Sequence, residues 1–165
     1  YNSILTLIKD KLLIFKDIFL IERNILRKKN FEDWIALHII YDDVLKFMKK
    51  FQIDNKLYIA TLKDEKSISI LLNSVNFKLD NKYILDSSQI HSKLDGLNII
   101  RKSKNINIKD MFFIDDNIDH LIDPNKLGYK SYLANWCNPV SEFKAKANKN
   151  KINIINKIEE CLNYV

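Results

Sequence analysis

Glycine and proline are scarce in this sequence, with only two of each among 165 residues. The composition excludes a collagen-like repeat, and 47% hydrophobic residues exclude an intrinsically disordered chain. Because the usual turn markers are missing, loops are predicted from clusters of asparagine, aspartate and lysine. The length suits one compact domain, or one domain with part of a second.

Cysteines and long apolar runs are also few. Cys137 and Cys161 stand far apart, with no CxxC motif and no nearby histidine pair, so neither a zinc site nor a disulfide framework is predicted. The longest apolar runs, such as Leu12–Phe15 and Ile18–Ile21, are interrupted by charged residues before reaching the roughly 18 residues of a membrane span. We therefore expect a protein of the reducing cytoplasm without a membrane partner.

The charge balance is basic, with a net charge of +6 at pH 7 and an isoelectric point near 9.2. A nucleic-acid-binding face would cluster lysines and arginines, with aromatic residues between them. Here the lysines are scattered through a chain rich in asparagine and isoleucine. Nucleic acid is therefore not the partner we expect.

The first forty residues have a helical pattern. Apolar residues recur at helical spacing from Asn2 to about Asn30, and a second helical stretch from Phe31 to Ile40 carries Trp34. Residues 1–40 are thus predicted to form a helical segment.

From residue 41 onward, helical and strand patterns alternate. Helices are predicted at Val44–Phe51, Asp64–Val75, Ile90–Lys102, Glu142–Asn148 and Ile152–Leu162, and a further helix contains Pro124–Lys126 and is ended by Gly128. Strands are predicted at Leu57–Ala60, Tyr83–Leu85, Met111–Ile114 and Tyr129–Ala134. Helices of this length between strands imply parallel crossovers, which predicts an α/β fold with a parallel sheet.

Chemically suggestive residues follow two of these strands, and functional groups of parallel sheets gather at the carboxyl ends of strands. Thr61 follows Leu57–Ala60, and the adjacent Asp115 and Asp116 follow Met111–Ile114. Two neighbouring carboxylates repel each other unless a cation lies nearby, and Mg²⁺ prefers such ligands together with phosphate oxygens. The alternative is that one aspartate caps the next helix and the other is solvated.

Thr61 and Lys93 also have two interpretations each. Thr61 either caps a helix or donates its hydroxyl to a phosphate group over the helix start. Lys93 either lies on the surface, like most lysines, or neutralises a phosphoryl oxygen or holds a catalytic carboxylate ionised.

Taken in order, these groups resemble the second, third and fourth motifs of the haloacid dehalogenase-like (HAD) hydrolase superfamily. The resemblance extends through Phe-Phe-Ile-Asp-Asp-Asn-Ile-Asp-His-Leu, starting at Phe112, to Gly128 and the strand after it. The run Asp-Trp-Ile-Ala-Leu from Asp33 and the run Tyr-Asp-Asp-Val from Tyr41 are similar to the exit of a helical cap. This likeness implies a three-layer Rossmann-like core over residues 41–165 and a helical cap segment over residues 1–40.

What the resemblance implies about function is Mg²⁺-dependent hydrolysis of a small phosphorylated metabolite through an aspartyl-phosphate. Thr61 would hold the transferring phosphoryl group, Lys93 would steady its charge, and Asp115 with Asp116 would hold Mg²⁺. The other acidic position of the family falls on His120, which makes Asp119 a lesser candidate whose alternative is a solvated helix residue.

The sequence departs from the family at the first motif, an apolar strand followed by Asp-x-Asp, which supplies the nucleophile and the central strand. Its nearest imitation here runs from Lys11 to Phe19, but Lys16 and Ile18 occupy the acidic positions and the segment fits a helix better. Either the motif lies upstream of Tyr1 in a longer protein, which we expect, or the chain is a catalytically inactive HAD-like binding or regulatory module.

Overall fold

A computed structural model describes residues 2–54 and 56–164. The chain divides into two compact units, residues 1–40 and 41–165. Within the described part, no helix combines the length and the apolar character needed to cross a membrane.

Unit 1 consists of two helices, α1 (Asn2–Lys29) and α2 (Phe31–Ala36). The side chain of Asn30 accepts a hydrogen bond from the backbone N–H of Asp33, which caps the start of α2. Trp34 is buried, and the guanidinium of Arg27 lies 5.9 Å from the centre of its ring. The predicted helices are confirmed, although the second ends at Ala36 rather than at Ile40.

Unit 2 alternates helices and strands. Its elements, in chain order, are α3 (Asp42–Ile53), β1 (Ile59–Ala60), α4 (Glu65–Ser74), β2 (Ile84–Leu85), α5 (Lys93–Lys104), β3 (Phe112–Asp115), α6 (Ile118–Lys126), β4 (Lys130–Ala134), α7 (Ser141–Lys149) and β5 (Asn153–Ile155), with short 3₁₀ turns at Asn81–Tyr83, Ile108–Asp110, Asn135–Cys137 and Ile158–Tyr164.

All the described strands pair in parallel, which confirms the predicted α/β class. They form two sheets, β1-β2 and β3-β4-β5. In the register of the larger sheet, Phe112 lies opposite Lys130 and Tyr132 lies opposite Asn153. The sequence predicts one sheet, whereas β1 and β3 do not pair with each other.

Helices cover both faces of the larger sheet, because side chains of successive strand residues point to opposite faces. Phe113 and Leu133 pack with residues of α5, α6 and α7 on one face. Phe112 and Tyr132 pack on the other face with α3 and the C-terminal 3₁₀ turn, where Phe47 is buried. The apolar runs of the strands are thus buried from both sides, as in other parallel sheets.

Polar side chains start the helices that follow the strands. The carboxylate of Asp64 accepts from the backbone N–H of Ser67 at 2.9 Å and caps α4. Ser92 caps α5 and Asn117 caps α6 in the same way. Gly128, with φ of 97°, follows α6 as predicted, in a conformation that other residues rarely adopt.

One secondary-structure prediction is wrong. The segment Ile152–Leu162, predicted as a helix, forms β5 and a 3₁₀ turn. Ile152, Ile155, Ile158 and Cys161 are buried at intervals of three residues, which imitates a helical face. The free edge of β4 decides the outcome, because β5 satisfies its backbone hydrogen bonds.

Candidate functional site

Lys93 is positioned by the close approach of α5 to β1. It is the first residue of α5, after the cap residue Ser92. One turn later, Gly96 lies so near β1 that an added Cβ would stand 3.1 Å from the Cβ of Ala60. This closeness lets the ammonium group of Lys93 donate a hydrogen bond to the carbonyl oxygen of Ala60, at the end of β1.

The same ammonium group faces the end of β3. Nζ of Lys93 lies 3.5 Å from Oδ2 of Asp115, and the two side chains are only 14% and 9% exposed. Lys93 thus bridges the carboxyl ends of two strands from different sheets. The prediction that these strand ends come together receives support here, since Thr61 is the residue after Ala60.

Asp115 is held by further hydrogen bonds on its other oxygen. Oδ1 accepts from the backbone N–H of Asn117 at 2.9 Å and lies 3.1 Å from Nδ1 of His120. These contacts leave the carboxylate little freedom to turn. The histidine at the family's acidic position therefore contacts the first of the two adjacent aspartates.

Asp116 is exposed, and its carboxylate has no hydrogen bond or ion pair with another described residue.

The charge of Asp116 affects the pKa values of two residues, Tyr41 and Cys137, that were not predicted as site residues. Burial, then the proximity of Cys137, raises the pKa of Tyr41, with Asp116 adding to the shift. Burial, then Asp116, likewise raises the pKa of Cys137, while a hydrogen bond with Tyr41 opposes this. Cys137 could have been predicted as a site residue, because it follows shortly after a buried strand.

Thr61 lies in the turn between β1 and α4 and is largely buried. Its Oγ1 accepts a hydrogen bond from the backbone N–H of Lys63 at 3.1 Å. Asp64, and not Thr61, caps α4, so the capping alternative for Thr61 does not hold. The hydroxyl proton of Thr61 is not used in that bond and can be donated to a ligand.

Asp119 pairs with a residue outside this cluster. Its side chain is 58% exposed, and Oδ1 lies 3.3 Å from Nζ of Lys146 on α7. An exposed pair of this kind contributes little to stability. The structure thus agrees with the solvated interpretation of Asp119.

Asp86 is a buried carboxylate that the sequence analysis missed. Its Oδ2 accepts from the backbone N–H of Glu65 at 2.8 Å, and its Oδ1 accepts from the hydroxyl of Ser88 at 2.6 Å. The hydrogen bond from Ser88 is the main reason that the pKa of Asp86 is lowered. Asp86 therefore ties the turn after β2 to the start of α4, which supports the loop containing Thr61.

The Mg²⁺ ion that the resemblance implies needs oxygen ligands. Across residues 2–54 and 56–164, no three histidine, cysteine, aspartate or glutamate side chains form a group that could hold a metal ion. Mg²⁺ often uses only one or two protein carboxylates, with water and phosphate oxygens as its other ligands. Asp115 and Asp116 are two carboxylates of that kind, and among the described residues no hydrogen bond or ion pair competes for the carboxylate of Asp116.

Comparisons of the chain with family models, with curated proteins and with solved structures found no match. A function is therefore inferred from the geometry of these side chains alone.

Proposed function

We propose that this site belongs to a Mg²⁺-dependent phosphate-ester hydrolase of the HAD type that acts on a small phosphorylated metabolite in the cytoplasm. The observation that carries the proposal is the position of Lys93. Its ammonium group joins the end of β1 to Asp115, the last residue of β3, and the exposed Asp116 is the next residue along the chain. In this proposal, residues 41–165 form a Rossmann-like core and residues 1–40 a helical cap segment.

Each side chain has a distinct task in this scheme. The hydroxyl of Thr61 donates to one phosphoryl oxygen, and the ammonium of Lys93 offsets the charge of another. Asp116, assisted by Asp115, holds Mg²⁺, which when bound lowers the repulsion between the phosphate and an attacking anion. His120 keeps Asp115 oriented through the 3.1 Å contact.

The attacking carboxylate is not among these residues. No Asp-x-Asp follows an apolar strand anywhere in residues 1–165. In the nearest imitation, Lys16 occupies the position of the nucleophile, and a lysine cannot form an acyl-phosphate. We therefore expect this chain to bind Mg²⁺ and phosphate without turning over substrate by the aspartyl-phosphate route.

The binding step is tested by thermal unfolding of the chain with MgCl₂ and tungstate, a phosphate mimic. Ligands that bind only the folded protein raise its melting temperature. We expect a rise with wild type that is absent in Asp116→Asn, while the Asp123→Asn control, altered at an exposed helix carboxylate, retains it. An equal rise in Asp116→Asn and wild type would contradict the assignment.

The second candidate function is a non-catalytic module that binds the same ligands for regulation. The missing Asp-x-Asp motif favours it. A phosphatase assay on the longest natural form of the protein, with an aryl phosphate and either Mg²⁺ or EDTA, separates the two. Turnover abolished by EDTA supports the hydrolase, whereas absent turnover by folded protein that still binds Mg²⁺ and tungstate supports the module.

A further inference from the structure

Helix α1 carries a narrow stripe of exposed isoleucines on one face. The stripe consists of residues that are 58%, 54%, 57% and 38% exposed, in the order Ile14, Ile18, Ile21 and Ile25. At about 100° per residue, these four positions fall within about 60° of the helix circumference. A contiguous apolar surface left in water is typical of a site where another molecule packs.

The opposite side of α1 is already used within unit 1. The short helix α2 packs against α1, and the guanidinium of Arg27 lies 5.9 Å from the ring centre of Trp34. Arg23 and Arg27, on the side of α1 away from the stripe, are half-buried. α2 therefore covers the other side of α1 and leaves the stripe exposed.

The spacing of the isoleucines indicates the shape of the partner. Steps of four, three and four residues correspond to positions d, a, d and a of a heptad repeat. A helix that packs on a globular core carries an apolar stripe about 100° wide or more, whereas a narrow one is the seam of a helix pair. Phe15 and Phe19 stack beside the stripe, with their ring centres 6.5 Å apart, but the exposed Glu22 lies between them and the isoleucines. The partner that fits the stripe is thus a second helix with the same repeat.

The charges beside the stripe fix the orientation in which a second copy of α1 fits. Asp17 and Glu22 are exposed and occupy positions g and e of the heptad. In a parallel pair, Asp17 of each copy would face Glu22 of the other, and like charges repel. In an antiparallel pair, Asp17 faces Asn24 and Glu22 faces Phe15. The antiparallel orientation therefore contains no like-charge pair along the isoleucines.

Two lysines at the ends of the stripe fix the register. The exposed Lys11 and Lys28 continue the heptad one step before Ile14 and one step after Ile25. When Ile14 faces Ile25 of the other copy, both lysines lie at the ends of the interface, where their ammonium groups reach water. A slip by one heptad would place Lys11 opposite Ile21, inside the apolar contact. The lysines thus disfavour every register except the one that pairs all four isoleucines.

The size of the stripe indicates the strength of the contact. The four isoleucines and Phe15, each about half exposed, offer roughly 500 Å² per copy, or roughly 1,000 Å² in a pair, at the low end of specific interfaces. We therefore expect association that depends on protein concentration in the micromolar range and above.

We propose that α1 is a self-association surface, on which a second copy of this chain packs its own α1 in antiparallel orientation. Ile14 contacts Ile25 of the other copy, and Ile18 contacts Ile21. This inference concerns unit 1 and does not depend on the chemistry proposed for unit 2.

Sedimentation velocity of the 165-residue protein tests the association, at concentrations from about 2 µM to about 500 µM, a range suited to an interface of this size. We expect the mass to rise from 19.5 kDa towards twice that value. Ile18→Glu should raise the dissociation constant at least about ten-fold. The control is Ile53→Glu, which changes an 82% exposed isoleucine of α3 and should associate like wild type. Circular dichroism verifies that both variants keep their helices.

Disulfide formation tests the orientation. Ile14→Cys and Ile25→Cys are prepared separately, mixed and oxidised. We expect a disulfide between position 14 of one copy and position 25 of the other. Neither variant alone should form one at its new thiol, because in the proposed register the two copies of position 14 are about 16 Å apart along the helix axis. Peptide mapping distinguishes these disulfides from any formed by Cys137.

Four results would overturn the proposal. The first is a monomer at every concentration, and the second is equal association of wild type and Ile18→Glu. The third is an efficient disulfide between two copies of Ile14→Cys, which would show parallel packing. The fourth is slow modification of Ile18→Cys by a maleimide in dilute, monomeric protein, which would show that the stripe is covered within a single copy.

Discussion

Replacing Lys93 by methionine should destabilise the protein, because it leaves the Asp115 carboxylate without its cation in a site where both side chains are nearly buried. Methionine resembles lysine in length and in helix propensity, so packing and α5 itself are little affected. The carbonyl of Ala60 also loses a hydrogen-bond donor.

The magnitude follows from the geometry. At the 3.5 Å separation of Lys93 and Asp115, and with an effective dielectric constant of about 20, the attraction is about 5 kcal/mol before desolvation is subtracted. Removing one partner of a buried pair typically costs about 3–5 kcal/mol. Since Asp115 keeps its bonds to Asn117 and His120, we expect the lower end, about 3 kcal/mol, or a melting temperature about 6–12 °C lower for a chain of this size.

The assay is urea unfolding of Lys93→Met, Asp115→Asn and the double variant, with Lys102→Met, at an exposed position on α5, as control. We expect the double variant to be more stable than the sum of the single changes implies, by at least about 1 kcal/mol. Strictly additive effects, or a Lys93→Met variant as stable as the control, would refute the reasoning.

Three further outcomes are expected. Gly128→Ala should lower the free energy of unfolding by about 1–2 kcal/mol, because φ of Gly128 is 97° and alanine is strained there. A clash is not the cause, since the nearest atom to the new Cβ would be 4.0 Å away. An unchanged melting temperature would argue against this backbone conformation. Asp86→Asn should lower stability by about 1–3 kcal/mol at pH 7. Because the folded-state pKa of Asp86 is lowered, its contribution is present above the unfolded-state value of about 3.9 and is lost as the pH falls through the folded-state pKa; a difference from wild type that does not narrow in acid would contradict this. Cys161 is fully buried, and burial raises its pKa to about 11. A thiol reagent should therefore modify Cys137 first and Cys161 only on unfolding. Equal modification rates of the two thiols in the folded protein would contradict the burial of Cys161.

The sequence predicted the helices and strands well where a local signal existed. The end of α6 at Gly128 was predicted because a glycine that tolerates a left-handed backbone is a local signal. The caps were not: Asp64 and Asn117 start α4 and α6, whereas the sequence offered Thr61 and one of the adjacent aspartates. The prediction of a helix at Ile152–Leu162 was wrong. The apolar spacing of this segment fits a helix, but the segment pairs with the edge of β4, which is distant in sequence.

The candidate site was predictable in part, for a similar reason. Adjacent aspartates after an apolar strand are a local pattern, and their position at a strand end follows from parallel topology. The pairing of Lys93 with Asp115 was not predicted, because its cause is the close approach of α5 to β1 that Gly96 allows. Tyr41 and Cys137 are far apart in sequence and gave no signal as a pair.

The division of the described strands into two sheets depends on the whole topology. A strand of two residues such as β1 has too short a pattern to predict which strand it pairs with. Its register, with Ile59 opposite Ile84, is known only from the structure.

The most direct test of the central claim, that the ends of β1 and β3 form a Mg²⁺ and phosphate site, uses Mn²⁺ as a paramagnetic substitute for Mg²⁺. Mn²⁺ is titrated into the labelled chain with inorganic phosphate, and the broadening of each amide signal is recorded by NMR. The account predicts broadening centred on Asp115 and Asp116, extending to Thr61 and Lys93, and lost in Asp116→Asn. Broadening centred on another carboxylate, such as Asp80, with no effect at Asp116 would contradict it.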